Sequence, residues 1–263
     1  MQERNTDVLA ALGLRPLSAR SVVASVLLGT HPPRLSTAAL VELCSRFGIS
    51  PGTTRVALSR MVAAGELAAE EGHYRLVGEG LLSRQRTQDD ALDPPAAAWA
   101  GAWRMAVVVS TGRAAAERIE LRRAFADARF AEWREGVWLR PDNLGPPAEA
   151  PPDHAPVRWM TVEPDDEPAV LAGELWDLPT WAARGDSLLA AGPEEPGDLV
   201  AEAPQWAAAV FSAAAATLRH LRTDPLLPEA LLAPDWPAGR LRDRYARYLT
   251  AIQRLVRHLS AAS

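Results

Sequence analysis

Apolar positions recur at helical spacing in three short runs near the N-terminus. Ser18 precedes Val22, Val23, Val26 and Leu27, and Gly29 and Pro32-Pro33 follow. A serine cap, an apolar stripe and a glycine-proline stop predict a helix from Ala19 to Leu28. A second run starts after Ser36 or Thr37, places Leu40, Leu43 and Phe47 on one face and ends at Gly48, where a C-terminal glycine belongs. The third starts at once: Ser50 suits an N-cap and Pro51 the first helical position. Thr54, Ala57, Leu58, Met61 and Val62 then share one phase up to Gly65. Leu67–Ala69 and Tyr74–Val77 flank Glu70-Glu71-Gly72-His73, a pattern for a short hairpin. The order helix, helix, tight turn, helix, hairpin predicts a winged helix-turn-helix over residues 18–80.

The pattern changes beyond residue 91. All nine tryptophans lie at or after Trp99. Trp103–Ser110 reads as a strand, Arg113–Phe125 as a helix, Gly136–Leu139 and Val157–Val162 as strands and Pro168–Leu175 as a helix. This order suggests a small ferredoxin-like module. Residues 141–168 hold eight prolines and predict an extended loop. Gly80–Ala91 reads as a polar helix or linker, and helical periodicity dominates from Leu178 onward, notably in Gln205–Leu221 and Arg240–Leu259. The expected fold class is α+β: a winged helix-turn-helix domain (1–90), a central ferredoxin-like domain (91–176) and a helical C-terminal domain (177–263).

Composition narrows the function classes. The chain has 263 residues, 48% of them hydrophobic, and no apolar run of membrane-spanning length. The first residues lack the pattern of a secretory signal, and Cys44 is the only cysteine. A cytoplasmic protein without membrane association is expected. The five histidines are scattered and there is no second cysteine, so no metal site, cofactor or catalytic set is predicted. Gly48-Ile49-Ser50-Pro51-Gly52 formally matches a hydrolase nucleophile elbow. That motif needs a preceding strand and an N–H after the serine, whereas here a helix precedes Ser50 and Pro51 has no N–H.

The net charge of −5 argues against indiscriminate nucleic-acid coating. Yet residues 1–88 hold ten arginines against seven acids, and Leu43–Gly65 carries three arginines and no acid. If the third helix buries Thr54, Leu58 and Met61, then Thr53, Arg55, Val56, Ser59 and Arg60 share the opposite face. Arginine can grip guanine bidentately, hydroxyls can meet phosphates or base edges, and valine can touch a thymine methyl. Alone, such a helix is more often simply solvated; the neighbouring tight turn and hairpin favour major-groove recognition. Arg46, His73 and Arg75 join the candidate DNA contacts. A small-molecule pocket would need apolar walls and cationic groups, for which Trp138, Trp159, Arg104 and Arg140 are candidates, although each tryptophan is more simply read as core.

The stretches ARSVVASVLLG, FGISPGTTRVALSRMVAAGEL, YRLVGEGLL, WAGAWRMAVVV, EGVWLRP, LAGELWDLPTW and DPLLPEALLAPDWPAGRLRDRY make the chain resemble the PaaX family of repressors of phenylacetic acid catabolism over nearly its whole length. The resemblance implies a homodimeric repressor bound to double-stranded operator DNA. It also implies release by an aryl-acetyl coenzyme A such as phenylacetyl-CoA. Where related proteins carry an aspartate and a proline after the first central strand, this chain has Val109-Ser110-Thr111-Gly112. The carboxylate that related nucleases use for metal is therefore missing. An RNA-processing enzyme on the ferredoxin-like module, a protein-interaction scaffold and a regulator sensing another small molecule are the alternatives.

Overall fold

The protein is described by a computed structural model covering residues 18–78, 89, 91–94, 98–109, 114–145 and 156–261. The chain runs α1 (Ala19–Leu28), β1 (Arg34–Ser36), α2 (Thr37–Arg46), α3 (Pro51–Ala63), β2 (Leu67–Glu70), β3 (His73–Leu76) and β4 (Trp103–Val108). It continues with α4 (Ala115–Asp127), β5 (Ala131–Arg134), β6 (Val137–Pro141), β7 (Val157–Val162), α5 (Pro168–Leu175) and α6 (Leu178–Ala191). After α7 (Pro204–Leu221), a 3-10 turn at Glu229–Leu231 leads to α8 (Ala238–Ala261). The fold is α+β. No helix among the described residues is long and apolar enough to cross a membrane.

Contacts divide the chain into two compact units: residues 1–92, 184–222 and 237–263, and residues 93–183 and 223–236. In the first unit each early helix starts on the serine that its sequence marks. Ser18, Ser36 and Ser50 side chains accept from the backbone N–H of Ser21, Ala39 and Thr53, each at 3.1 Å, satisfying donors that a helix start otherwise leaves open. Buried residues include Val22, Val23, Val26 and Leu27 of α1, Leu40, Leu43 and Cys44 of α2, and Leu58 and Met61 of α3. β1, β3 and β2 form an antiparallel sheet in that order. β1, which the pattern did not predict, pairs Arg34 with Arg75, Leu35 with Tyr74 and Ser36 with His73.

The same unit contains α7 and α8. α7 is alanine-rich and buried on most sides, including Ala209, Val210, Ala213, Ala214 and Ala216. Small side chains let neighbouring backbones approach closely. On α8 a buried stripe of Leu241, Tyr245, Tyr248, Ile252, Leu255 and Leu259 keeps helical phase over about five turns. Both helices pack against α2, and Phe47 meets Phe211 with ring centroids 5.0 Å apart. Tyr248 donates its hydroxyl hydrogen to the Pro193 carbonyl, and burial pushes its pKa up to about 12.

The second unit is built on an antiparallel sheet of order β5-β6-β4-β7. One face carries Ala106, Val108 and Trp138 under Leu121 and Phe125 of α4. The other carries Trp103 and Leu139 under Leu171, Ala172, Leu227 and Leu231. β5 is a further strand that the sequence pattern missed: four residues, interrupted by a register shift between Glu132 and Arg134, leave no legible alternation. The expected strand Trp103–Ser110 ends at Val108, and α5 follows β7. Most of the expected 80–91 linker, Ser110–Gly112 and residues 146–155 of the proline-rich loop lie outside the described residues.

Candidate nucleic-acid interface

The turn into α3 is held by its backbone. Gly48 has φ +75°, a conformation that glycine adopts without the Cβ penalty. Ile49 N–H donates to Cys44 O at 3.0 Å. Ser50 then caps α3, and its Oγ lies 2.8 Å from Thr53 Oγ1. Thr54, Leu58 and Met61 are the buried residues of this helix. Burial costs Thr54 little because its hydroxyl donates to Ser50 O at 3.2 Å.

Thr53, Arg55, Val56, Ser59 and Arg60 are all exposed, so the structure brings this expected set to one surface. Val56 is 51% exposed, an apolar group that the first unit itself leaves uncovered. Neither Arg55 nor Arg60 makes an ion pair among the described residues, and the segment from Leu43 to Gly65 contains no acid to repel phosphate. Hydroxyls, a methyl-bearing side chain and two unspent guanidinium groups on one helix face suit a duplex groove.

The hairpin is more constrained than its sequence suggests. Glu70 accepts from Arg75 Nε at 2.7 Å and from Arg34 Nε at 2.9 Å. The hydrogen bond from Arg75 is the main cause that holds the Glu70 carboxyl below its ordinary pKa, with Arg34 adding to it. Arg75 remains exposed, but its charge is shared with this acid. His73 Nδ1 lies 2.9 Å from the Glu71 carbonyl, so the imidazole is oriented by its own turn. Arg34 and Glu70 were missed as site residues because β1 had to be paired with β3 before they could be seen together.

Arg46 departs from the expected surface. Its Nη1 donates to the carbonyls of Leu199 and Val200 at 3.4 and 3.3 Å. Its Nε is buried. The charge is spent inside the first unit because the Leu199–Val200 segment packs beside α2.

The expected ligand residues lie on the second unit's sheet. Arg104 and Arg140 are direct cross-strand partners, and Ala106 lies between Trp138 and Trp159. Arg104 sits 5.6 Å from the Trp159 ring centroid and donates to Thr161 Oγ1 at 3.2 Å. Arg140 is 3% exposed. It stacks over Phe130 at 4.7 Å and donates to the Gly145 carbonyl. Burial is the main cause that lowers its pKa to about 10; Asp142 opposes the shift and Arg104 adds to it. Trp138 is stacked on Phe125 with centroids 4.8 Å apart and belongs to the core. Arg104, Arg140, Trp159 and Thr161 share one face of the sheet.

The family model described as PaaX-like protein matches residues 18–80, the stretch containing α1–α3 and the hairpin. A solved structure of an uncharacterized protein, Rv0674 from Mycobacterium tuberculosis, is similar over 92% of this chain and 98% of its own, with 45% sequence identity and a TM-score of 0.74. No curated protein matches the sequence.

Proposed function

Because the chain belongs to the PaaX-like family, we propose that it is a transcription regulator whose α1–α3 and β1–β3 form a winged helix-turn-helix. α3 is the recognition helix and enters the major groove of operator DNA. The observation that carries this reading is the acid-free exposed face of Thr53, Arg55, Val56, Ser59 and Arg60 on a helix capped directly after a tight turn. Arg75 and His73 at the hairpin contact the flanking backbone or minor groove, with Arg34 beside them.

The regulator acts as a cytoplasmic homodimer that represses its target. An isologous dimer would present two recognition helices to half-sites about one helical turn (~10 bp) or a multiple apart. Its effector is an aryl-acetyl coenzyme A such as phenylacetyl-CoA, and Arg104 and Arg140 hold an anionic group of that molecule beside Trp159. The second unit is a ferredoxin-like module: its sheet order fits that arrangement, although α5 follows the last strand. The effector must bind the free and DNA-bound states unequally to shift one against the other.

Footprinting of the full chain on fragments from around its own gene, with and without phenylacetyl-CoA, tests both parts. Protection of paired half-sites that the thioester relieves is the expected result. No protection on any fragment at low salt removes the DNA reading, and protection unaffected by the thioester removes the effector.

A further inference from the structure

The first unit contains a cavity that the DNA-reading surface does not use. About 280 Å³ of space lies among α1, α7 and α8. It exists because Ser21 and Ser25 of α1 and Ala214 and Ala215 of α7 place small side chains where three helices would otherwise close. The helices come together tightly at one side. A Cβ on Gly29 would stand 3.3 Å from Leu249 Cδ1, and Gln253 Nε2 donates to the Gly29 carbonyl at 3.3 Å.

The lining is chemically uneven. Phe211, Leu218, Leu249, Ile252 and Val256 give apolar walls, whereas among the described residues the charged side chains of the lining are Arg20, Arg219 and Arg222, with no carboxylate. Arg20 is engaged by Glu66, which stands outside the lining. Arg219, in the last turn of α7, is exposed. A wholly apolar occupant would leave the Arg219 guanidinium facing no anion, and inorganic phosphate would leave the walls unfilled. An apolar body with one negative end satisfies both.

We propose that this cavity binds a small apolar carboxylate, with its hydrocarbon part between α1 and α8 and its charge on Arg219. The site is separate from the Arg104–Arg140 pair. Because α1 packs against α3, its occupant touches the helix that supports the proposed recognition face.

Calorimetric titration of the full chain with octanoate and phenylacetate, and with octan-1-ol and 2-phenylethanol as uncharged counterparts, tests the site. Each acid is expected to bind about tenfold more tightly than its alcohol, the size of one charge-assisted hydrogen bond. Arg219→Gln should remove that preference and leave alcohol binding in place. Ala215→Leu, which fills the space, should weaken all four probes. Arg219 is exposed, so its replacement tests the charge without disturbing the core. Absence of binding by every probe, equal binding of acid and alcohol, a preference that survives Arg219→Gln, or affinity unchanged by Ala215→Leu would each overturn the proposal. Neither variant lies on α3 or the hairpin, so operator binding by the same preparations reports separately on the DNA reading.

Discussion

Arg75 Nε donates to the Glu70 carboxylate at 2.7 Å, so a cation proposed to face DNA is already sharing its charge with an acid. Glu70→Gln should therefore strengthen operator binding a few-fold. The slope of log affinity against log salt should steepen by up to about 1, because Arg75 and Arg34 become fully available to phosphate. Because the folded Glu70 pKa is lowered, its contribution is present above the unfolded glutamate value and is lost as pH falls through the lower folded one. Carboxyl NMR titration should place Glu70 below the other exposed glutamates; a salt slope unchanged in Glu70→Gln would contradict the charge sharing.

Arg55→Ala and Arg60→Ala should each cost about 1–3 kcal/mol of operator binding if the side chain pairs with guanine. The exposed positions leave the core intact, so thermal stability should stay close to the parent. Competition binding against single-base operator variants checks this, since a lost base contact relaxes specificity at one position whereas a lost phosphate contact weakens all sequences alike. Full affinity and specificity in the double variant would remove α3 as the reading helix.

Arg46→Ala should behave differently. Its hydrogen bonds to Leu199 and Val200 are internal, so the expected loss is about 1–2 kcal/mol of folding stability. Urea denaturation measures that loss, and operator specificity measured alongside it should be unchanged.

Gly185→Ala tests the packing of α6 on α8. An alanine normally favours a helix over glycine by about 1 kcal/mol. Here the new Cβ would lie 2.8 Å from Pro237 Cγ and 3.2 Å from Leu241 Cδ1. A proline ring cannot swing aside as a flexible side chain can, so overpacking of about 1–3 kcal/mol should outweigh the propensity gain. A lower denaturation midpoint is expected; a higher one would show that the junction yields.

Cys44 is fully buried and burial raises its thiol pKa, against a smaller lowering by a hydrogen bond with Thr54. The thiolate is the reactive form. Ellman's reagent should therefore label the native chain slowly at neutral pH and rapidly after unfolding, and one cysteine makes the readout unambiguous. Fast native labelling would contradict the enclosed position.

The faces of α3 were readable in the sequence because helical phase turns spacing directly into direction: Thr54, Leu58 and Met61 face inward and Thr53, Arg55, Val56, Ser59 and Arg60 outward. β1 was not readable, since three residues show no period and the strand exists only through its pairing with β3. Arg46 was misread for a related reason. Its position on α2 says nothing of the Leu199–Val200 segment, which reaches it from far along the chain. Trp138 illustrates the limit of residue type: the indole that could wall a pocket instead stacks on Phe125.

The contacts of Phe47 with Phe211 and of Gly29 with Leu249 and Gln253 have a consequence in time. A ribosome makes α1–α3 early, yet the surfaces that bury their backs belong to α7 and α8, which emerge more than a hundred residues later. Domains that are contiguous in sequence can fold as they leave the tunnel, whereas this one has to wait. The nascent α1–α3 segment therefore lacks these partners through most of translation, and the DNA grip proposed for it is expected to form only once α8 has been made.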